Sequence, residues 1–118
     1  MLCSEAISLV RANVGDPAQA GQRASDTSYA GWLGESVVQL ARDLPAVFMD
    51  GHGQPQLPVA VILQTTDDLP APPGYEYACC DWAASRYFAS DSHDARDAGN
   101  AAAFLGRYRA AVFGEGSK

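Results

Sequence analysis

The sequence predicts a mainly α-helical protein: a small helical bundle with a long C-terminal helical hairpin and a short two-stranded β arm. Three observations support this class. The chain has 118 residues, 47% of them hydrophobic, which is enough for a packed core but only for one domain, residues 1–118. Four segments carry apolar residues at helical spacing. One short β-branched run lies between the second and third of them.

The first two predicted helices cover residues 2–14 and a segment that ends at Asp43. Gly15 ends the first helix, and the polar side chains at 26–28 can accept hydrogen bonds from the free amides of the second. Pro45 prevents extension beyond Asp43. Apolar spacing assigns these residues to the buried faces: Leu2, Ala6, Leu9, Val10 and Val14, then Trp32, Leu33, Val37, Leu40, Ala41 and Leu44.

The predicted β arm covers about residues 46–66. The stretch "VAVILQTT" (Val59 to Thr66) is rich in β-branched residues and has the length of a strand. The stretch "AVFMD" (Ala46 to Asp50) is expected to pair with it across a Gly-rich turn. Such an arm is marginally stable alone, and its unpaired edge is expected to recruit another chain.

The C-terminal hairpin is predicted from two long periodic segments, Tyr75 to Ser90 and about Asp94 to Phe113. In the first segment, spacing places Trp82 on a single buried face and leaves an opposite polar face. The buried set is Tyr75, Ala78, Cys79, Trp82, Ala83 and Tyr87, and the polar set is Glu76, Asp81 and Arg86. The final stretch, residues 114–118, is expected to be a flexible tail that only a partner would order.

These features predict where the protein contacts its partners. The arm and the tail are the expected assembly elements, because neither has enough neighbouring core to cover it. The candidate interface residues are Pro55, Leu57, Val59, Val61 and Leu63 in the arm, and Phe113, Gly114, Glu115 and Lys118 in the tail.

The charge balance argues against tight nucleic-acid binding. Eight Lys and Arg against fourteen Asp and Glu give a net charge of −6, and the basic residues are scattered. No apolar run has the length of a membrane span, and the first residues do not have the pattern of a secretory signal, so a cytoplasmic protein is expected. The three cysteines, two of them adjacent, are expected to be free, buried thiols.

No catalytic or metal-binding pattern stands out. His93 with Asp91 and Asp94 would make a poor zinc site, because no cysteine or second histidine joins them. A continuous helix would hold Cys79 or Cys80 about 20 Å from His93, too far for a nucleophile and its base. We therefore expect no enzymatic activity and no cofactor.

The order of elements resembles a known family. The stretches "ISLVRANVGD", "YAGWLGESVVQLARDLPAVF" and "LPAPPGYEYACCDWAASRYFASDSHDARDAGNAAAFLGRYRAAVFG" together look like the small head-tail adaptor proteins of tailed bacteriophages, also called connector or head completion proteins. The resemblance runs from about Ala6 to Gly114. Trp32 and Leu33 carry part of it; an asparagine commonly follows this pair in related sequences, where this chain has Gly34.

This resemblance implies a non-enzymatic structural protein of the virion neck that assembles in the host cytoplasm. Such adaptors form a ring, usually a dodecamer, below the portal protein and extend the DNA channel towards the tail. The implied partners are the portal, neighbouring copies, and tail, tail-terminator or nozzle proteins, while DNA passes without specific binding and no membrane is involved. Acidic residues would then face the channel, and the candidates are Asp81, Asp91, Asp94 and Asp97.

Two other classes stay open at this point. A small acidic binding module, such as an inhibitor or immunity-type protein, would also be compact and without a catalytic site. A thiol-dependent enzyme is a further alternative. Stoichiometry separates the first two classes, because an adaptor joins a ring whereas an inhibitor binds one partner.

Overall fold

The computed structural model describes residues 1–16, 24–48, 62–72, 74–90 and 95–114. Within these ranges the chain forms four α-helices: α1 (Cys3–Val14), α2 (Asp26–Asp43), α3 (Glu76–Ser90) and α4 (Ala95–Phe113). A short 3₁₀ helix (Pro45–Phe48) follows α2. The predicted mainly helical class is confirmed, and each helix lies within two residues of its predicted bounds where those were stated.

The helices form three layers, with α3 in the middle. Helix α3 packs against α1 and α2 on one side and against α4 on the other. Two adjacent aromatic residues show this arrangement: Tyr87 stacks on Tyr29 of α2 with ring centroids 6.0 Å apart, and Phe88 stacks on Phe104 of α4 at 5.8 Å. Since neighbouring residues point about 100° apart around a helix, one helix can serve both layers.

Burial on two sides of α3 corrects the prediction of a single buried face. Cys80, Ala84 and Ser85 are buried in addition to the predicted residues, whereas Trp82 is only partly buried. Trp82 was predicted to be buried on this face and is covered only in part, because its ring lines a groove between α2, α3 and α4. The small side chains of α3 allow neighbouring helices to approach from both sides.

The β arm is not confirmed, since the described residues contain no strand. Pro45–Phe48 forms a 3₁₀ helix where one strand was predicted, and residues 62–66 contain a turn where the other was predicted. Residues 49–61, which hold the remainder of the arm, lie outside the described ranges. At residues 65–67, hydrogen bonds to the start of α1 compete with pairing to a second strand. The amides of Ser4 and Cys3 donate to the carbonyl oxygens of Thr65 and Asp67 at 3.1 and 2.7 Å.

The helix ends follow ordinary capping rules. Ser25 is the N-cap of α2, and its Oγ accepts a 3.1 Å hydrogen bond from the amide of Ser28. Sequence reasoning placed this cap at 26–28, one residue too late. Gly15 ends α1 with φ of 74°, a left-handed conformation that favours glycine.

All three cysteines are free and buried, as predicted. Burial raises the pKa of the Cys79 thiol to about 11 and that of the Cys80 thiol to about 12. Burial also raises the pKa of Cys3. A thiol that remains protonated at neutral pH is a poor nucleophile, so these groups behave as core residues.

Candidate functional site

A half-open groove lies where the carboxyl ends of α2 and α4 meet α3, and we call it the α2–α4 groove. Its volume is about 280 Å³. Polar side chains from α2 form one wall, and aromatic and aliphatic side chains from α3 and α4 form the other. The lining residues are Gln39, Asp43, Trp82, Leu105, Tyr108, Arg109 and Phe113.

The floor of the groove is a hydrogen-bonded group that we call the Tyr108 tether, made of Tyr108, Asp43 and Gln39. The Tyr108 hydroxyl donates to Asp43 Oδ2 at 2.6 Å, and Gln39 Nε2 lies 3.2 Å from both oxygens of the same carboxylate. Tyr108 is buried, and burial together with the bond to Asp43 raises its pKa above the ordinary value. The tether attaches the end of α4 to the end of α2.

The apolar wall of the groove is only partly covered. Trp82 and Leu105 are partly buried and pack against the core, while Phe113 is 49% exposed. The Arg86 guanidinium lies 5.6 Å from the centre of the Trp82 ring. Gly114 ends α4 with φ of 71° beside this wall, and its amide donates to the carbonyl oxygen of Ala110 at 2.9 Å. Most of the groove's exposed lining is polar, and the Trp82 and Phe113 rings add contact area suited to an amphipathic aromatic side chain such as tyrosine.

The lining of the groove carries one cation, Arg109, and one carboxylate, Asp43. From Ala98 to Gly114 the sequence contains two arginines and no acidic residue. Arg107 lies over the Phe104 ring at 4.8 Å, and its positive charge lowers the pKa of Asp81. Arg109 lines the groove itself, and it belongs to none of the ion pairs formed within the described ranges. Asp43 is already bonded to Tyr108 and Gln39, so the remaining strong polar group at the groove is cationic.

One of the predicted assembly residues, Phe113, lines this groove, and Gly114 follows it at the end of α4. Leu63 instead packs against the protein's own core. The other candidates lie outside the described residues: Pro55, Leu57, Val59, Val61, Glu115 and Lys118.

The acidic channel candidates are described only in part. Asp81 is partly buried, and burial raises its pKa while the nearby Arg107 guanidinium lowers it. Asp91 and Asp94 lie outside the described residues, as does the side chain of Asp97, whose backbone belongs to α4.

Sequence reasoning missed two residues of the groove, Tyr108 and Arg109, and one exposed residue elsewhere on α3, Tyr77. The bond of Tyr108 to Asp43 joins residues 65 positions apart and leaves no local signal. Arg109 was not singled out. Tyr77, on the opposite flank of α3, is 65% exposed. The sequence could have predicted this exposure, because Tyr77 lies outside the apolar face of α3 and an aromatic residue in such a position is expected to be exposed.

A second polar group lies at the other end of the bundle, and we call it the Arg11 clasp: Arg11, Asp16, Ala24, Asp26 and Tyr29. Arg11 donates to Asp16 Oδ2 at 3.0 Å, to the Ala24 carbonyl oxygen at 2.9 Å and to Asp26 Oδ1 at 2.8 Å. The Tyr29 hydroxyl donates to Asp16 Oδ2 at 2.6 Å, and the guanidinium lies 4.5 Å from the centre of the Tyr29 ring. This clasp joins the end of α1 to the start of α2.

The Arg11 clasp is better explained by folding than by binding. The Arg11 and Asp16 side chains are 4% and 0% exposed, and each bonds to other groups of the chain. A shallow cleft of about 240 Å³ adjoins it, lined by Ser4, Ile7, Ser8, Arg11, Asp26 and Thr65. A buried ion pair with this many hydrogen bonds offers little free capacity to a ligand.

Comparisons with known proteins add no information about this site. No family model, curated protein or solved structure matches the chain. Within the described ranges, no helix has the length and apolar character needed to cross a membrane. The same part of the chain gathers no three side chains that could hold a metal ion.

Proposed function

We propose that the protein is a structural head-tail adaptor of a tailed bacteriophage, which joins a ring beneath the portal and extends the DNA channel to the tail. The observation that carries this proposal is the half-open α2–α4 groove, whose mainly polar lining includes the half-exposed ring of Phe113, one of the interface residues chosen on sequence grounds. The resemblance to this family, which runs from about Ala6 to Gly114, suggests the partners: the portal, the neighbouring copies and the tail-side protein.

In this function the protein acts by contact. Ring assembly needs exposed apolar surface on each subunit to give affinity, and charged rims to select the partner. The partly covered Trp82 and Phe113 supply such a surface, and Arg109 supplies a charged rim. The net charge of −6 is suited to a channel through which DNA slides, because like charges do not adhere.

The proposal is tested by mixing the protein with the portal protein of the same phage genome and measuring the mass of the complex. A multiple-copy ring on the portal is expected. Phe113→Ser should lower the number of bound copies, because it removes an apolar side chain that is half exposed and therefore contributes little to the fold. Asn100→Ala is the matched control, since Asn100 is exposed and lies thirteen residues earlier on the same helix.

Three outcomes would argue against this proposal. Absence of any complex with the portal would remove its central interaction. A tight complex of one copy with one copy of another protein would favour a small acidic binding module of the inhibitor or immunity type. Duplex DNA that bound the protein at micromolar concentration in low salt would contradict the proposed passive channel surface.

A further inference from the structure

Tyr77 is an aromatic side chain that stays largely exposed among the described residues. It is 65% exposed although it belongs to the first turn of α3, and it takes part in none of the aromatic contacts that connect the other rings. An exposed tyrosine carries a large apolar ring and a hydroxyl that donates and accepts hydrogen bonds. Tyrosine is among the residues that most often dominate binding energy at protein interfaces.

Tyr77 and the α2–α4 groove lie on opposite flanks of the α3–α4 pair. Trp82, which forms a wall of the groove, follows Tyr77 by five residues, or about 140° around the helix. Helix α4 covers the part of α3 between them, where Phe88 stacks on Phe104 and Arg107 acts on Asp81. Tyr77 and the α2–α4 groove therefore face in different directions.

The two surfaces match in shape and charge. The groove offers the Trp82 and Phe113 rings to an incoming side chain, and its volume of about 280 Å³ exceeds that of a tyrosine side chain. Arg109 at its polar edge can donate a hydrogen bond to a tyrosine hydroxyl. Glu76, directly before Tyr77, has the charge opposite to that of Arg109.

We propose that Tyr77 of one copy inserts into the α2–α4 groove of the next copy. The occupant of the groove is thus a second copy of this chain, selected by the pairing of Glu76 with Arg109. This inference rests on the proposed function, because it names the contact between neighbouring copies in the ring. A protrusion and a cavity on different flanks make a head-to-tail contact, which adds copies until the ring closes.

The test uses two complementary variants, each of which removes one half of the contact. Tyr77→Ala removes the protrusion and leaves the groove intact. Phe113→Ser combined with Arg109→Glu removes the groove's apolar wall and reverses its charge, and leaves Tyr77 intact. All three positions are exposed, so both variants are expected to fold. Circular dichroism and thermal unfolding check the fold, Asn100→Ala serves as control, and Tyr77→Phe keeps the ring.

Native mass spectrometry and sedimentation over a range of concentrations measure the association. The wild-type protein and the control are expected to form species larger than a dimer, and Tyr77→Ala weakens association about 30-fold or more. Tyr77→Phe loses only the hydroxyl's hydrogen bond and should weaken association less than Tyr77→Ala does. Each variant alone should be monomeric where the wild type associates. An equimolar mixture of the two variants should give a one-to-one heterodimer and nothing larger, because only one productive contact is left.

Several results would overturn the proposal. A wild-type protein that stays monomeric at the highest attainable concentration in low salt would do so. Association of Tyr77→Ala equal to that of the wild type would do so as well, and so would a mixture that forms no heterodimer.

The contact and the adaptor function can fail separately. If the wild type associates through Tyr77 but does not bind the portal, the contact stands and the adaptor function is wrong. If Tyr77→Ala occupies the portal in wild-type number, the adaptor function stands and the contact is wrong.

Discussion

Two tyrosine–aspartate hydrogen bonds of equal length have different surroundings. Tyr29 to Asp16 and Tyr108 to Asp43 both measure 2.6 Å between oxygen atoms. In the Arg11 clasp the carboxylate is fully buried and bonded to a buried guanidinium. In the Tyr108 tether the carboxylate is partly exposed, has no ion pair among the described residues and borders a groove.

The difference shows that the same bond can hold a core together or hold a surface in place. The clasp closes the short connection between α1 and α2, so its loss would leave a buried charge inside the bundle. The tether joins the outer helix α4 to α2 at one point, beside the surface proposed for assembly. We therefore expect the clasp to determine global stability and the tether to determine the local order of the groove.

Breaking the clasp should have the largest effect. Asp16→Ala leaves the Arg11 guanidinium buried without its main counter-charge, and we expect a loss of about 3–5 kcal/mol in the free energy of unfolding. Urea denaturation followed by circular dichroism measures the loss. A change below about 1 kcal/mol would show that the Arg11–Asp16 pair is not needed for stability.

Alkaline pH tests the region next to the tether, where the buried Cys79 thiol lies close enough to Tyr108 to raise its pKa. The folded-state pKa values of Cys79 and Cys80, about 11 and 12, lie above the ordinary value of 9.0. Their contribution to stability is therefore complete below pH 9 and decreases above it, because the unfolded chain loses these protons first. We expect a loss of about 2–3 kcal/mol at pH 10 relative to pH 8.

The double variant Cys79→Ala with Cys80→Ala isolates this effect. It should fold at neutral pH and show a shallower decrease of stability between pH 8 and 10. An unchanged slope would assign the alkaline loss to other groups. Assembly on the portal should also persist, since these thiols are buried and are not proposed to react.

Removing only the tether's hydroxyl should have a smaller and more local effect. Tyr108→Phe keeps the ring and deletes the hydrogen bond to Asp43, for an expected loss of about 1–2 kcal/mol. Hydrogen exchange should accelerate in the last two turns of α4 more than in α1 or α2. Uniform acceleration in all helices would mean that the tether, like the clasp, supports the whole bundle.

The smallest effect is expected at the exposed edge of the clasp. Asp26 bonds to Arg11 at 2.8 Å, but its side chain is 60% exposed and solvent screens the pair. Asp26→Ala should lower the free energy of unfolding by less than about 1 kcal/mol. Comparison with Asp16→Ala in the same denaturation assay shows whether burial sets the strength of these two bonds.

The helices could be predicted from the sequence because their signals are local. Apolar spacing gave all four, and Pro45 marked the end of α2. The second buried face of α3 could not be found in this way, since Ala84 and Ser85 are small enough to be either covered or exposed. The strand prediction at 62–66 relied on local β propensity. In the structure, the carbonyl groups of Thr65 and Asp67 accept hydrogen bonds from the first amides of α1.

Less of the candidate site was predictable. Phe113 was expected at an interface because the C-terminal tail it begins has too little neighbouring core to cover it, and it lines the groove. The groove also needs Asp43 beside Tyr108, a juxtaposition of residues 65 positions apart that tertiary packing alone creates. No periodicity in either helix encodes it.

The hydrogen bonds that begin α1 have a consequence for how the chain folds during synthesis. The amides of Cys3 and Ser4 bond to carbonyl groups more than sixty positions later, and α1 packs against the still more distant α3. A helix of 12 residues is marginal by itself in water. Helix α1 therefore leaves the ribosome long before the groups that stabilise it, and native structure must form late, after α3 has been made. Nascent chains that stop before residue 90 are accordingly expected to remain unfolded and open to proteolysis.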